Sequence, residues 1–238
     1  MKEYKKILIT LAVVVVFIVL IILGYLTLTR DNSVDIYNDV TIFSKEYESL
    51  NGEELSGKLL LEVDINDEAV IYEKTILEIL DIMNNESALI YFGFGTCPWC
   101  RNMIEALVDS SVSKNEPIYY VNISSVRNTY TYEAGNVVET KEGDESYYEV
   151  VEFLSDSLSE YYVYDEDGEK YDTNTKRLYA PTVITVKNGS LVDISFGTVD
   201  EVEDPYIKLT DEEYSDLLLE YNNMINDLQT EMCSLESC

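Results

Sequence analysis

The longest apolar stretch of the chain comes first, at residues 7–28, which carry no charged side chain. A helix of that length rises about 33 Å, enough to cross a hydrocarbon core of about 30 Å. Three lysines precede the stretch, whereas Arg30 after it is balanced by Asp31 and Asp35. By the positive-inside rule, the pattern predicts a cytoplasmic basic tail at 1–6 and a transmembrane signal anchor that leaves the remaining chain outside the membrane.

Two other interpretations of residues 7–28 fit less well. A cleaved signal peptide would have an apolar core of about 7 to 15 residues and an A-x-A-like site. This stretch is longer, and Tyr25–Arg30 contains no pair of small residues at that spacing. A buried core helix is also disfavoured, because all faces of these 22 residues are apolar.

Helical and strand periodicities organise the rest of the chain. Residues 29–57 mix acids, Asn, Ser and Gly, which predicts a tether that packs in part on a domain at 58–232. A strand at 58–66 and strands at 88–93 and 117–123 alternate with two helices. Strand, helix, strand predicts a crossover unit in a parallel sheet. The apolar stripes of the two helices are Tyr72, Ile76, Ile79, Leu80 and Met83, with an end at Asn84-Asn85, and Met103, Ile104, Leu107 and Val108.

The second half of the domain predicts two further helices and a hairpin. Capping boxes begin at Ser146, with Glu149 three residues later, and at Thr210, with Glu213 three residues later. Strands at 182–187 and 191–196 are joined by Asn188-Gly189, the strongest short-range signal for a hairpin. The inner faces of the helices are expected to be Tyr147, Val150, Val151, Leu154, Leu158 and Tyr161, and Tyr214, Leu217, Tyr221, Met224, Leu228 and Met232.

Composition excludes several classes of function. The net charge is −30, and after the apolar stretch 13 basic residues face 45 acidic ones, so no nucleic-acid partner is expected. Histidine is absent, which removes Ser-His and Cys-His catalysis and every zinc site with a histidine ligand. The remaining chemistry is that of carboxylates, tyrosine, lysine and cysteine. The acidic field opposes thiolate formation near the cysteines, and Arg101 is the only cation close to them in sequence.

The four cysteines fall in two close pairs, Cys97 with Cys100 and Cys233 with Cys238, which does not suit a disulfide-stapled miniature fold. Cys97 follows a predicted buried strand, and Pro98 fits the first position of a helix. Free N–H groups and the helix dipole stabilise a thiolate at such a position. We therefore predict an exposed, activated Cys97, with Cys100 one turn away to close or resolve a disulfide.

These residues resemble the thioredoxin superfamily. The run ALIYFGFGTCPWCRNMIEAL is similar to its strand, active-site turn and helix, and RLYAPTVITVKNGSLVDISFG to its cis-proline strand and hairpin. Within the superfamily, YFGFGTCPWCR is similar to the membrane or exported group known as bacteriocin transport accessory proteins. The resemblance covers residues 58–232. It implies an α/β thioredoxin-like fold, with a central mixed sheet flanked by helices, and no cofactor.

The resemblance also implies roles for individual residues. Cys97 would be the attacking thiol and Cys100 the resolving thiol. Pro181 would be a cis-proline facing the pair, and Trp99, Ala180 and Pro181 would contact an extended substrate.

The sequence departs from the family pattern in three places. Tyr91 stands where thioredoxins commonly bury an acid, and Pro98-Trp99 replaces Gly-Pro between the cysteines. An insertion at about 125–176 precedes Pro181, longer than a crossover needs. We expect most of its tyrosines to be half-buried packing residues: Tyr130, Tyr132, Tyr161, Tyr162, Tyr164 and Tyr171.

Other assignments of the cysteines remain open. The first pair could be an inert disulfide, or half of an all-cysteine zinc site completed by Cys233 and Cys238. Pro181 opposite the pair would hinder a metal, and zinc knuckles prefer closer spacing, so no metal is expected. For the tail at 233–238 we prefer a small disulfide loop over a relay that passes electrons to Cys97 and Cys100.

Taken together, the sequence predicts an extracytoplasmic thiol–disulfide oxidoreductase held in the cell membrane by residues 7–28. Its expected partners are thiols and disulfides of exported proteins, with a membrane redox partner in addition. The rival hypothesis is a binding or export-accessory protein that docks a peptide along the Pro181 strand, with incidental thiols.

Overall fold

The computed structural model describes residues 32–197 and 202–233. The predicted membrane anchor at 7–28 and most of the tail at 233–238 lie outside these residues. The chain divides into two compact units, Met1–Tyr37 and Asn38–Cys238. Of the first unit only residues 32–37 are described, and they are helical. Across the described ranges, no helix has the length and apolar character needed to span a membrane.

The elements follow one another in the order expected for an α/β chain, with additional hairpins. Within the described residues the helices are α1 (Asn32–Glu48), α2 (Ile76–Asn85), α3 (Pro98–Lys114), α4 (Glu145–Phe153) and α5 (Asp211–Cys233). The strands are β1 (Glu54–Leu55), β2 (Lys58–Leu59), β3 (Ile71–Glu73), β4 (Ser87–Gly93), β5 (Ile118–Asn122), β6 (Thr129–Glu133), β7 (Asn136–Lys141), β8 (Glu160–Tyr164), β9 (Lys170–Lys176), β10 (Thr182–Lys187) and β11 (Ser190–Ser195).

Five strands form the central sheet, in the order β11-β10-β4-β5-β3. Strands β3, β4 and β5 run parallel, and β10 pairs antiparallel with both β4 and β11. The predicted parallel unit around α3 is therefore confirmed. The predicted hairpin is confirmed as well, because Asn188 and Gly189 both have positive φ, as a two-residue type I′ turn requires.

The sheet separates two apolar layers, since successive side chains of β4 point to opposite faces. Leu89 and Tyr91 pack with α1, α3 and α5 on one face, whereas Ala88, Ile90 and Phe92 pack with α2 and α4 on the other. A central mixed sheet flanked by helices on both sides fits a thioredoxin-like fold.

The predicted strand at 58–66 is wrong beyond its first two residues. Only Lys58–Leu59 is a strand, and it pairs with β1 in a small hairpin. Farther along, side chains take the place of a neighbouring strand: the Val63 N–H donates to Asn51 Oδ1 and the Ile65 N–H to Glu48 Oε1, each at 2.9 Å. The first strand of the central sheet is instead β3, which contains Tyr72, so Tyr72 is not part of the helical stripe of α2.

The segment expected to be a tether at 29–57 contains helix α1. Three of its side chains, Val40, Phe43 and Tyr47, are buried in the apolar layer that also holds α3 and α5. The compact unit accordingly starts at Asn38, well before residue 58. The tether prediction underestimated this packing because acids surround the three apolar residues in the sequence.

The N-cap of helix α4 lies two residues earlier than predicted. Asp144 is the N-cap, and its side chain accepts a hydrogen bond from the Ser146 N–H, so Ser146 is not the cap. Tyr161, assigned to the inner face of this helix, lies in strand β8. The cap of α5 is confirmed: Thr210 and Glu213 exchange hydrogen bonds in a capping box. The side chain of Met232 lies outside the described part of the chain.

The insertion forms hairpins β6–β7 and β8–β9 with α4 between them. Most of its six tyrosines are half-buried, as expected. Tyr132 stacks on Tyr171 with ring centroids 3.7 Å apart, and Tyr130 contacts the buried Tyr161 edge-on. Tyr164 is the exception, since its side chain is exposed.

Candidate functional site

The Cys-x-x-Cys turn connects the buried strand β4 to helix α3. Cys97 is the N-cap residue of α3 in an extended conformation, and Pro98 occupies the first turn, where its missing N–H costs no hydrogen bond. The Cys97 sulfur accepts a hydrogen bond from the Cys100 N–H at 3.4 Å. A cysteine thus takes the place that Ser or Asp usually fills at an N-cap, and both thiols are free.

The surroundings of Cys97 favour its thiolate. The pKa of Cys97 is lowered, first by a hydrogen bond from the Cys100 side chain, and then by the N–H groups of Cys100 and Trp99 and the charge of Arg127, although burial opposes the shift. The prediction of an exposed thiol is wrong, since Cys97 is only 6% exposed. Its thiol turns onto the Ala180 carbonyl, to which it donates a 3.3 Å hydrogen bond.

Cys100 has the opposite character. It is fully buried. Burial is the main reason that the pKa of Cys100 is raised well above its ordinary value, with further contributions from the hydrogen bond to Cys97 and from the charge of that neighbour. The two thiols therefore differ in how readily each forms a thiolate, Cys97 more readily than Cys100.

The proline strand faces the cysteine turn as the resemblance implies. The Ala180-Pro181 peptide bond is cis. The Ala180 carbonyl contacts the Cys97 thiol, which places the start of β10 directly against the pair. Gly197 closes the other side, because a Cβ there would lie 2.7 Å from Pro181 Cγ. Trp99 is partly buried and packs against the same apolar layer.

Arg101 is not among the groups that shift the pKa of either thiol. It is buried, and its guanidinium donates hydrogen bonds to the carbonyls of Leu61, Tyr47 and Gly95 and to Asn51 Oδ1. Arg101 thus ties the cysteine turn to the end of α1 and to the extended segment after β2.

The cation that influences Cys97 is Arg127, which sequence reasoning missed. Its guanidinium lies over the Phe94 ring at 4.8 Å from the centroid. Arg127 follows β5, and the carboxyl ends of neighbouring parallel strands meet at one edge of a sheet. From this rule, residue 127 could have been predicted to lie near the end of β4, where Cys97 lies.

Sequence reasoning also missed Glu46 and Tyr47, which α1 brings to the site. Glu46 accepts hydrogen bonds from the Gly95 N–H at 2.8 Å, from the Tyr120 hydroxyl and from the Asn122 amide. Tyr47 meets Tyr91, the residue in the position of the expected acid, with 2.7 Å between their hydroxyl oxygens. Both residues belong to the segment interpreted as a tether, so no role was assigned to them.

The second cysteine pair and metal binding are described only in part. Cys233 is the last residue of α5, and its side chain and all of Cys238 lie outside the described residues. The terminal disulfide and the relay to Cys97 and Cys100 thus stay predictions. Within the described residues there is no cluster of three or more His, Cys, Asp or Glu side chains placed to hold a metal ion.

Comparisons with known proteins give a distant structural likeness. No protein-family model matches the chain, and no curated protein matches it in sequence. Among solved structures, the chain is similar to thioredoxin from Aeropyrum pernix, with 17% sequence identity and a TM-score of 0.30. The match covers 56% of this chain and 79% of that thioredoxin.

Proposed function

We propose that this protein is a membrane-anchored, extracytoplasmic thiol–disulfide oxidoreductase that acts on exported proteins. One observation carries the proposal, namely the asymmetry of the cysteine pair. Cys97 caps α3 and has a lowered pKa, whereas Cys100 is fully buried and has a raised pKa. A thiolate is the nucleophile in disulfide exchange. Cys97 is therefore suited to attack the substrate first, and Cys100 to release it in the second step.

The reaction proceeds in two exchanges. The Cys97 thiolate attacks one sulfur of a substrate disulfide; a Cys97–substrate S–S bond forms, and the other substrate sulfur leaves and takes a proton. Cys100 then loses its proton and attacks the Cys97 sulfur, which releases the second substrate sulfur as a thiol. Two electrons have passed to the substrate, and Cys97 and Cys100 are joined in a disulfide. The reverse sequence oxidises a dithiol substrate, and the reduction potential of the pair sets the direction.

The membrane location is part of the same proposal. It is supported by the uncharged stretch at 7–28 and by the lysines that precede it. Protease added to intact cells is expected to remove an epitope placed after Cys238. Protection of that epitope, or a mature protein that lacks residues 1–28, would contradict the location.

A second function, docking of an exported peptide, has its own supporting observation. Tyr179 and Phe196 are exposed aromatic residues next in sequence to Ala180 and Gly197, which lie beside Cys97 and Pro181. A docking protein would bind its partner without using either thiol.

Trapping separates the two functions. The Cys100→Ser variant of the full-length chain, with Cys233 and Cys238 also changed to Ser, should accumulate mixed disulfides with exported proteins. The matched control adds Cys97→Ser and should capture nothing covalently. Capture that persists undiminished in the control would overturn the oxidoreductase proposal and favour docking.

A further inference from the structure

Two buried tyrosines approach the resolving cysteine. Tyr47 from α1 and Tyr91 from β4 are both fully buried, and 2.7 Å separates their hydroxyl oxygens. Tyr91 and Cys100 lie in the same buried apolar layer, and the Tyr91 hydroxyl lowers the pKa of the Cys100 thiol, as a hydroxyl directed at the sulfur does. The chain of contacts therefore runs from Tyr47 through Tyr91 to Cys100.

The position of the Tyr91 ring is fixed on several sides. It stacks on the Tyr120 ring at a centroid distance of 5.5 Å, and Phe43 meets it edge-on. Along the strand, the ring lies over Gly93, where a Cβ would be 2.1 Å from the Tyr91 hydroxyl oxygen. The hydroxyl is thus held in place by packing.

Hydrogen counting sets the direction of the two hydrogen bonds. Each tyrosine hydroxyl has one hydrogen to donate and lone pairs to accept. When Tyr47 donates to Tyr91, the Tyr91 hydrogen is free for the Cys100 sulfur. A thiolate is a stronger acceptor than a neutral thiol, so the arrangement is most favourable when Cys100 is a thiolate.

We propose that Tyr91 is a catalytic residue that stabilises the Cys100 thiolate as substrate is released, and that Tyr47 is a positioning residue that acts through Tyr91. This inference rests on the proposed thiol–disulfide exchange. The tyrosines donate hydrogen bonds and do not act as bases. Burial is the main reason that the pKa of each lies well above 10, so both keep their protons.

In the release step, the proton that the substrate sulfur gains comes from Cys100, and neither tyrosine loses a proton. The Cys100 S–H bond breaks, a Cys100–Cys97 S–S bond forms, and the Cys97–substrate S–S bond breaks. The substrate sulfur leaves with the electron pair of that bond and ends as a thiol with the proton that Cys100 lost. Tyr91 lowers the free energy of the intermediate Cys100 thiolate.

Other titratable groups that interact with Cys100 or with these tyrosines come from four elements. Cys97 caps α3, Tyr120 lies on β5 and Tyr221 on α5, and Glu46 of α1 interacts with Tyr47 and Tyr120. Tyr120 donates its hydroxyl hydrogen to the Glu46 carboxylate at 2.9 Å. Tyr120 therefore offers a matched control, since it is a buried tyrosine of the same cluster whose hydrogen is used elsewhere.

The test compares Tyr91→Phe, Tyr47→Phe and Tyr120→Phe in the full-length chain. The first readout is the rate of release of a preformed Cys97 mixed disulfide with glutathione, from pH 6 to pH 10. A hydrogen bond to a charged group changes an equilibrium about tenfold or more, so Tyr91→Phe should slow release about tenfold at each pH below the Cys100 pKa. Tyr47→Phe should slow release by a smaller factor, and Tyr120→Phe should leave the pH profile in place.

The second readout does not depend on exchange. In a Cys97→Ser background, alkylation of Cys100 at a fixed pH, located by mass spectrometry, reports its thiolate fraction. Tyr91→Phe should reduce this rate about tenfold as well. An unchanged alkylation rate, or an equal loss in Tyr120→Phe, would overturn the inference. If the alkylation rate falls as expected while wild-type protein exchanges no disulfide, the proposed function fails and the role of Tyr91 stands.

Discussion

A Cβ atom at Gly93 would lie 2.1 Å from the hydroxyl oxygen of Tyr91 and 2.2 Å from the ring carbon that carries it. The two residues are two apart on β4, so their side-chain positions share one face of the sheet. Only a residue without a side chain lets the Tyr91 ring extend along the strand to the Cys100 thiol. Gly93 is thus required for the placement of Tyr91.

Gly93→Ala should displace the Tyr91 ring. Overpacking of a buried site costs about 1 to 3 kcal/mol, and we expect a loss of stability in that range, measured by urea unfolding of the reduced protein. Release of the Cys97 mixed disulfide should slow as well. The double variant with Tyr91→Phe should release no more slowly than the slower single variant, because both changes remove the same hydrogen bond. Independent, multiplied effects would contradict this relationship.

Glu46 should stabilise the fold through the donors that it satisfies. Its carboxylate accepts from the Gly95 N–H, the Tyr120 hydroxyl and the Asn122 amide, all partly buried. With about 1 kcal/mol for each lost bond, Glu46→Ala should reduce the free energy of unfolding by about 3 kcal/mol. Glu48→Ala, which removes the acceptor of one N–H, is the matched control and should cost about 1 kcal/mol. Equal losses in the urea midpoint would show that the Glu46 cluster contributes nothing beyond one bond.

Substitution of the two arginines near the site should have different effects, on the pKa of Cys97 for Arg127 and on stability for Arg101. Arg127→Met removes a cation that favours the Cys97 thiolate, so the pKa of Cys97 should rise and its alkylation profile should move to higher pH. Arg101→Met should destabilise the protein, because four acceptors lose a buried donor, and should leave the alkylation profile of the folded protein in place. An unchanged profile in Arg127→Met would rule out its electrostatic role.

The cysteine pair should make stability depend on pH. The folded-state pKa of Cys97 lies below its ordinary value of 9.0, so the thiolate contributes stability above pH 9 that is lost as the pH falls through the lowered pKa. The melting temperature of reduced wild type, relative to Cys97→Ser, should therefore increase as the pH is raised from 5 to 9. A constant difference between the two proteins would show that the pKa of Cys97 is the same folded and unfolded.

The strand, turn and helix that carry the cysteines could be predicted from the sequence. Ala88 to Gly93 form an uninterrupted apolar run, Pro98 marks the helix start, and Asn188-Gly189 fixes the hairpin that presents Pro181. Each of these signals is local, and the structure has the predicted strand, helix start and hairpin at these positions. The placement of Ala180 against Cys97, by contrast, was implied by family resemblance.

The residues that tune the site could not be read from local patterns. Glu46 and Tyr47 lie in a helix whose apolar positions, Val40, Phe43 and Tyr47, do follow helical spacing, but the acids around them favoured a tether. Arg127 lies far from Cys97 along the chain and reaches it only because parallel strands end at one edge of the sheet. Side-chain partners such as Asn51 and Glu48 replace a strand beside residues 63–65, and no periodicity reveals such contacts.

The most direct measurement is the redox equilibrium of the Cys97 and Cys100 pair in glutathione buffers, read by alkylation and mass spectrometry. We predict one two-electron transition between a dithiol and a Cys97–Cys100 disulfide, at a potential between about −270 and −120 mV. With Cys233 and Cys238 also changed to Ser, Cys100→Ser should instead show only a glutathione adduct on Cys97. A pair that stays reduced across this range, or that takes up glutathione equally on both cysteines, would contradict thiol–disulfide exchange as the function of the site.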